Sequence, residues 1–282
     1  MIKVIVSDLD GTLFYGHGDT VFDITERNIE ALKKAKEAGI DFFIASGRML
    51  SYSKYLLDQY GFTNQIMAGF NGAAIYDNGN TPISYPIDKE VIKEVISLLD
   101  DDWKNHGYVQ IQTIDNIRLF SHLDHYDIET YLKESKISHT CQIDTEHTIQ
   151  DYLDGTIAIV PMKLSIVSKN PSYNKPIYQA IKDEYGDRCY VTMSSLSCLE
   201  VMNPLANKGI FIQYLKNTYQ YHPYEIAVIG DSLNDIDMFP YCENCFAMEN
   251  GHSEVIERAQ YVVKDVAQCI ELCIKLNEVS EE

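Results

Sequence analysis

A chain of 282 residues with 42 Asp and Glu against 23 Lys and Arg carries a net charge of −19. That balance argues against a nucleic-acid binder, which needs clustered cations to neutralise phosphates, and against an anionic membrane surface. A hydrophobic content of 45% supplies core for one large domain or two moderate ones. There is no apolar run of the ~18 residues that a membrane span requires. The N-terminus enters a strand without a signal-peptide pattern, so a cytoplasmic protein is expected. The seven cysteines, an odd number between Cys141 and Cys273, read as reduced core thiols. Cys242-x-x-Cys245 lacks the second pair that a zinc site needs.

Val4-Ile5-Val6 is a short apolar run that stops at Asp8, Asp10 and Gly11. It reads as a buried parallel strand delivering carboxylates to the carboxyl edge of a sheet, where open α/β folds bind ligands. Alternate strand positions share a face, so an extended chain would bring Asp8 and Asp10 toward one point. Two such carboxylates repel, and one pKa rises unless a cation sits between them. Mg²⁺ suits that place because it takes one or two carboxylates and keeps waters for a phosphate to replace. A strand followed by an ordinary Asp-Gly turn is the plainer reading of the same residues.

A polar loop over 15–23 leads to Thr25 as the N-cap of a helix over Glu26–Ala38. Ile29, Leu32 and Ala35 share one face of it, and Gly39 is the stop. Ile40–Ala45 reads as a second strand, ending at Ser46-Gly47-Arg48 before a helix through Tyr55 and Leu56. Gln65–Ala68 is a third strand, followed by Asn71-Gly72 and a hairpin turning at Asp77-Asn78-Gly79-Asn80. This alternation predicts a parallel sheet with right-handed crossovers.

From about Pro82 the rhythm changes. A helix over 88–99 and short strands at Tyr108–Gln112, Ile117–Phe120, Ile157–Ile159, Lys163–Val167 and Cys189–Thr192 are expected. With helices at Asp127–Lys136 and Ile177–Tyr185 they describe an inserted α+β domain. From 195 the α/β beat returns: strand Leu199–Met202, helix Lys208–Lys216, strand Ile226–Ile229 and helix Asp235–Tyr241. Strand Ala259–Val263 and a helix through Leu276 complete it. The fold class is α/β: a Rossmann-like parallel-sheet core of residues 1–83 and 195–282, interrupted by the insert 84–194.

Polar groups then gather at strand ends: Asp8 and Asp10; Ser46; Lys208 at a helix start; and Gly230-Asp231-Ser232-Leu233-Asn234-Asp235. Taken singly, Ser46 suits a helix N-cap, Lys208 is one lysine among many, and Asp231-Ser232 suits a cap after a strand. In a parallel sheet, however, these ends converge on one edge.

Asp8-Leu9-Asp10-Gly11-Thr12-Leu13 after an apolar strand resembles the first motif of the haloacid dehalogenase (HAD) superfamily. Ser46, Asn207-Lys208-Gly209 and Gly230-Asp231-Ser232 with Asn234-Asp235 follow in the order of its later motifs, and Asn71-Gly72-Ala73 is a further family-like signature. The insert resembles, by position and size, the large α/β cap of the Cof-type branch. The resemblance implies a Mg²⁺-dependent phosphatase acting on a small phosphorylated metabolite, a sugar phosphate or a phosphorylated cofactor, through an aspartyl-phosphate. It implies Asp8 as nucleophile and Asp10 as general acid then base, with Asp8, the Asp10 backbone carbonyl and Asp231 as metal ligands. Ser46, Gly47, Lys208 and Asn234 would hold the phosphate, and Lys208 would keep Asp8 ionised. Asp235 would support the metal shell, and Thr12, Arg48 and Asn71 would hold the surrounding loops or the cap. A phosphomutase of the phosphomannomutase kind and a non-catalytic or phospho-accepting regulator are the alternatives. The chain departs from the family at Ala247-Met248-Glu249-Asn250-Gly251, where Glu249 replaces a common glycine. Gly251 is expected to take over its positive φ, and Glu249 to add a carboxylate near the site.

Overall fold

Val4, Ile5 and Val6 have no exposed surface, and each faces apolar side chains on its own side of a sheet. Val4 and Val6 pack with Phe211, Ile212 and Leu215 of the helix Gly209–Tyr219. Ile5 turns the other way, to the cluster holding Leu32 and Ala35 of the helix Glu26–Glu37 and Ile270 of the helix Val266–Ser280. A strand covered on both faces must be apolar throughout, which is why this segment shows no polar alternation. The computed structural model describes residues 1–14, 24–59, 61, 66–104, 106–121, 142–168 and 170–280. The expected loop 15–23 and the expected helix Asp127–Lys136 lie outside the described residues.

The first sheet comprises β1 (Val4–Ser7), β2 (Asp41–Ala45), β3 (Ile66–Gly69), β4 (Ala74–Asp77), β5 (Asn80–Ser84), β12 (Ile226–Gly230), β13 (Asn244–Met248) and β14 (Tyr261–Val263). Their order is β14-β13-β12-β1-β2-β3-β4-β5. β1 pairs in parallel with β12 on one side and β2 on the other. The chain runs outward from β1 through β2 and β3, and later outward again from β12 through β13 and β14. The strand order therefore reverses beside β1, which opens a crevice at its carboxyl end. The predicted hairpin is present: Asn78 and Gly79 both have positive φ, 45° and 97°, as a two-residue hairpin turn demands. This is a mixed α/β fold with a parallel-rich central sheet.

The second sheet is formed by β6 (Gly107–Thr113), β7 (Ile117–Phe120), β8 (Gln142–Ile143), β9 (Pro161–Ser168), β10 (Tyr190–Ser195) and β11 (Cys198–Met202), in the order β10-β11-β9-β6-β7-β8. Two expectations are corrected here. Ile157–Ile159 is not a strand; it leads into β9 without pairing. Leu199–Met202 does not belong to the core sheet as expected, because β11 pairs antiparallel with β9 and β10. A five-residue strand has no period that tells which sheet it joins.

One face of the second sheet is apolar. Val109, Ile111, Leu164, Ile166, Leu199 and Val201 pack with Val91, Ile92 and Val95 of the helix Lys89–Ser97 and Ile181 of the helix Asn174–Tyr185. The alternate residues Gln110, Gln112, Arg118, Lys163, Ser165 and Glu200 are polar yet buried. Burying so much polarity is costly unless it is satisfied or serves a site. The six described cysteines are free, and the Cys242 and Cys245 sulfurs lie 3.5 Å apart. Among the described residues, no helix is long and apolar enough to cross a membrane.

Candidate active site

The strand β1 ends at Ser7, and the Asp8 N–H donates to Ile229 O of β12 at 3.0 Å, holding Asp8 at the crevice. Beyond it the chain turns, with the Thr12 and Phe14 N–H groups donating to Leu9 O. Asp8 and Asp10 nevertheless line the same cavity, and the charge of Asp10 is felt at Asp8. Arg48 holds Asp10: its Nε donates to Oδ2 at 2.5 Å while Nη2 donates to Oδ1. The Arg48 guanidinium also lies over the Tyr52 ring, 4.2 Å from its centroid.

A cavity of about 530 Å³ opens between the two sheets. Asp8, Asp10, Gly47, Arg48, Asn71, Asp231 and Asn234 line it from the first sheet, joining seven of the predicted residues. Thr12, Ser46, Lys208 and Asp235 lie just behind, each at most 1% exposed. The Lys208 Nζ donates to Asp8 Oδ1 and to Asp235 Oδ1, both at 2.6 Å. The second Asp235 oxygen accepts from the Asp231 and Ser232 N–H groups, each at 2.9 Å, fixing the loop after β12. Thr12 Oγ1 donates to Asp231 Oδ1 at 2.9 Å and Ser232 Oγ to its Oδ2 at 3.1 Å. Ser46 Oγ accepts from the Arg48 N–H at 3.2 Å.

Burial pushes the Asp8 carboxyl well above the usual carboxylate range; Lys208 pulls it back, and Asp235, Asp231 and Asp10 push it higher still. Burial likewise raises Asp231, and Asp235 adds to it. Burial opposes the charge on Lys208, but Asp235 and Asp8 outweigh it and raise its pKa, so the ammonium persists. Carboxylate oxygens of Asp8, Asp231 and Asp235 lie within 4.8 Å of one another. An oxygen-only cluster of acids held so close fits a hard divalent cation, which would relieve the repulsion that raises Asp8 and Asp231. Asp235 already accepts from three donors, so its part is to hold the loop.

The family departure resolves differently from the expectation. Glu249 is exposed and does not line the cavity. Neither it nor Gly251 has positive φ. Gly251 serves close approach: a Cβ there would meet Asp231 O at 2.9 Å, and the adjacent His252 N–H donates to that oxygen at 2.7 Å.

Sequence reasoning missed the side of the cavity formed by the second sheet: Gln112, Arg118, Lys163, Thr192 and Glu200, together with Tyr52 and His252 from the first. A signal existed in Lys163-x-Ser165 and Glu200, polar residues alternating with apolar ones in short strands. Period alone does not say what such a face looks at.

The model of the haloacid dehalogenase-like hydrolases matches residues 5–268, nearly the whole chain and every element of this site. The chain belongs to that family. This HAD-like hydrolase is 28% identical over 279 residues to the Bacillus subtilis 5-amino-6-(5-phospho-D-ribitylamino)uracil phosphatase YwtE, covering 93% of each chain. Its fold is similar to that of a haloacid dehalogenase-like hydrolase from Bacteroides thetaiotaomicron, with a TM-score of 0.78, 22% identity and coverage of 97% and 100%. It is also similar to the HAD subclass IIB sugar phosphatase BT4131, with a TM-score of 0.76, 17% identity and coverage of 96% and 99%.

Proposed function

We propose that this HAD-like hydrolase is a Mg²⁺-dependent phosphatase that cleaves small phosphomonoesters through a phosphorylated Asp8. The observation that carries the reading is the Asp8 carboxylate, held by Lys208 at 2.6 Å and close to Asp231, on the wall of a cavity that Asp10 also lines. Asp8 attacks phosphorus, forming an acyl-phosphate as the ester P–O bond breaks. Asp10 gives its proton to the departing alkoxide and then takes one from the water that attacks phosphorus, which breaks the acyl-phosphate bond and frees Asp8. Arg48 must release Asp10 for this, and an arriving phosphoryl group is a competing partner for the guanidinium. Lys208 keeps a positive charge against Asp8, and Ser46, Gly47 and Asn234 would bind the phosphoryl oxygens. Asp8, Asp231 and the Asp10 carbonyl would hold Mg²⁺, which supplies orientation of the phosphate and neutralisation of its developing charge.

The polar lining of the cavity supports a small polar phosphate ester as substrate, a sugar phosphate or phosphorylated cofactor, whose hydroxyls would meet Gln112, Thr192 and Arg118. The division into a core and a cap is part of the same proposal, with one boundary moved: the expected core of 1–83 and 195–282 gives up β11 to the cap, which runs from 84 through Met202. Phosphate release from a panel of phosphomonoesters, with Mg²⁺ or EDTA, tests it. Mg²⁺-dependent turnover that disappears in Asp8→Asn is expected; turnover that survives in Asp8→Asn, or none by the folded wild type, overturns it.

A further inference from the structure

The Asn71 side chain sits between the two sheets, 1% exposed, on a backbone with φ of 54°. Its Nδ2 donates to Glu200 Oε2 at 3.1 Å and lies 3.4 Å from Met202 Sδ. Glu200 and Met202 are alternate residues of β11, so they share one face of the second sheet. A carboxylate and a thioether only accept hydrogen bonds. Asn71 therefore has to turn its nitrogen toward β11, which leaves its Oδ1 for the other side. There it accepts from Asn234 Nδ2 at 2.9 Å. Asn234 lines the cavity, while its Oδ1 is buried and has no hydrogen-bond partner among the described residues, so of its two polar ends the oxygen is the one turned away from solvent.

The charge that sets this direction is itself held in place. Lys163 Nζ donates to Glu200 Oε1 at 2.7 Å and to Gly47 O at 2.8 Å. Lys163 and Glu200 are 5% and 8% exposed, so neither is left to water. The bonds run unbroken from β9 and β11 of the second sheet, through Asn71, to the loop that carries Asp231. Gly47 closes the arrangement: a Cβ on it would come 2.9 Å from Asn71 Oδ1.

We propose that the Lys163–Glu200 ion pair is a positioning device for phosphate binding. It fixes the direction of the hydrogen bonds through Asn71 so that Asn234 presents N–H, and not C=O, to a phosphoryl oxygen. The reason is the sign of the dipole: an amide nitrogen attracts a phosphoryl oxygen and an amide oxygen repels it. A neutral amide in place of Glu200 can donate or accept, and it no longer dictates which way Asn71 faces. The second sheet then does more than enclose the substrate, because it orients a phosphate-binding group of the first. This inference rests on the phosphatase reading above.

The test exchanges the polarity. Glu200→Gln removes the constraint, and Asn71→Asp sets two carboxylates against each other; Asp tolerates the left-handed backbone as Asn does. In the double variant Glu200→Gln/Asn71→Asp, a donor at 200 meets an acceptor at 71, and Asn234 again faces a group that only accepts. Orthophosphate affinity in Mg²⁺ is measured by calorimetry for the wild type and three variants, alongside kcat and KM on an aryl phosphate and a thermal unfolding curve. Each single variant is expected to weaken orthophosphate about tenfold to a hundredfold, as loss of an orienting partner does. The double variant is expected to recover to within about threefold of wild type, a coupling that independent packing effects do not produce. Single variants that bind as wild type does, a double variant as weak as the product of the two losses, or a wild type that does not bind orthophosphate each overturn the proposal. Failure of the phosphatase reading shows separately, as a wild type that binds orthophosphate and hydrolyses no ester.

Discussion

A Cβ on Gly11 would lie 2.6 Å from Oδ2 of Asp231, so these two residues fit together only while position 11 carries no side chain. Gly11 also has φ of 84°, a conformation that costs other residues about 1–2 kcal/mol. Gly11→Ala therefore strains its own backbone and displaces the carboxylate proposed to face Mg²⁺. The expected outcome is a lower unfolding temperature and a Mg²⁺ requirement raised by about tenfold or more. A Mg²⁺ titration of phosphate release, with a thermal melt on the same protein, measures both.

Lys208 faces two buried carboxylates, Asp8 and Asp235, with almost no access to water. Lys208→Met leaves both without their cation, at a cost of about 3–5 kcal/mol. Adding Asp8→Asn in that background removes one of the stranded charges and is expected to return part of the stability. Equilibrium unfolding in urea of the two single variants and the double resolves the coupling. Activity is expected to fall by more than about 10³-fold in each.

Asp8 and Asp231 both hold their protons more tightly in the metal-free fold than in the unfolded chain, chiefly through burial. A raised carboxyl pKa contributes stability that is fully present below the unfolded value of about 3.9 and is lost as pH climbs through the folded value. Metal-free protein should thus lose this contribution on going from acid toward neutral pH. Mg²⁺ binding, which needs both groups deprotonated, should strengthen over the same interval and release protons. Thermal melts at a series of pH values, with Mg²⁺ and with EDTA, should diverge as pH rises.

Arg48 grips Asp10 with two nitrogens and stacks on Tyr52. Lysine keeps the charge and loses both the fork and the flat face. Arg48→Lys is expected to reduce kcat/KM by about tenfold or more while leaving the Mg²⁺ requirement near that of wild type. Steady-state kinetics across a Mg²⁺ series separates this from the effect of Gly11→Ala.

Much of the fold and half of the cavity were legible because they depend on short stretches. Val4-Ile5-Val6 must be buried wherever it goes, Thr25 caps a helix, Asn78-Gly79 turns a hairpin, and the acids follow their strands. The failures lie where a residue's partner is far away in the chain. Leu199–Met202 reads as a core strand until β9 is seen beside it, and Ile157–Ile159 is apolar without pairing. Gly251 carries no mark that its neighbour is Asp231, and Glu249 looks close to the site while pointing into solvent.

The sequence by itself determined the family and the residues at the carboxyl ends of β1, β2 and β12, because apolar strands and the groups just after them are local in the chain. Only the tertiary structure decided how those groups are held. Asp10 meets Arg48 across 38 positions, Lys208 meets Asp8 across 200, and Asn71 meets Glu200 across 129. Such contacts leave no period or spacing in a sequence. They arise when two sheets close over buried charge, and burial then requires every donor to find its acceptor.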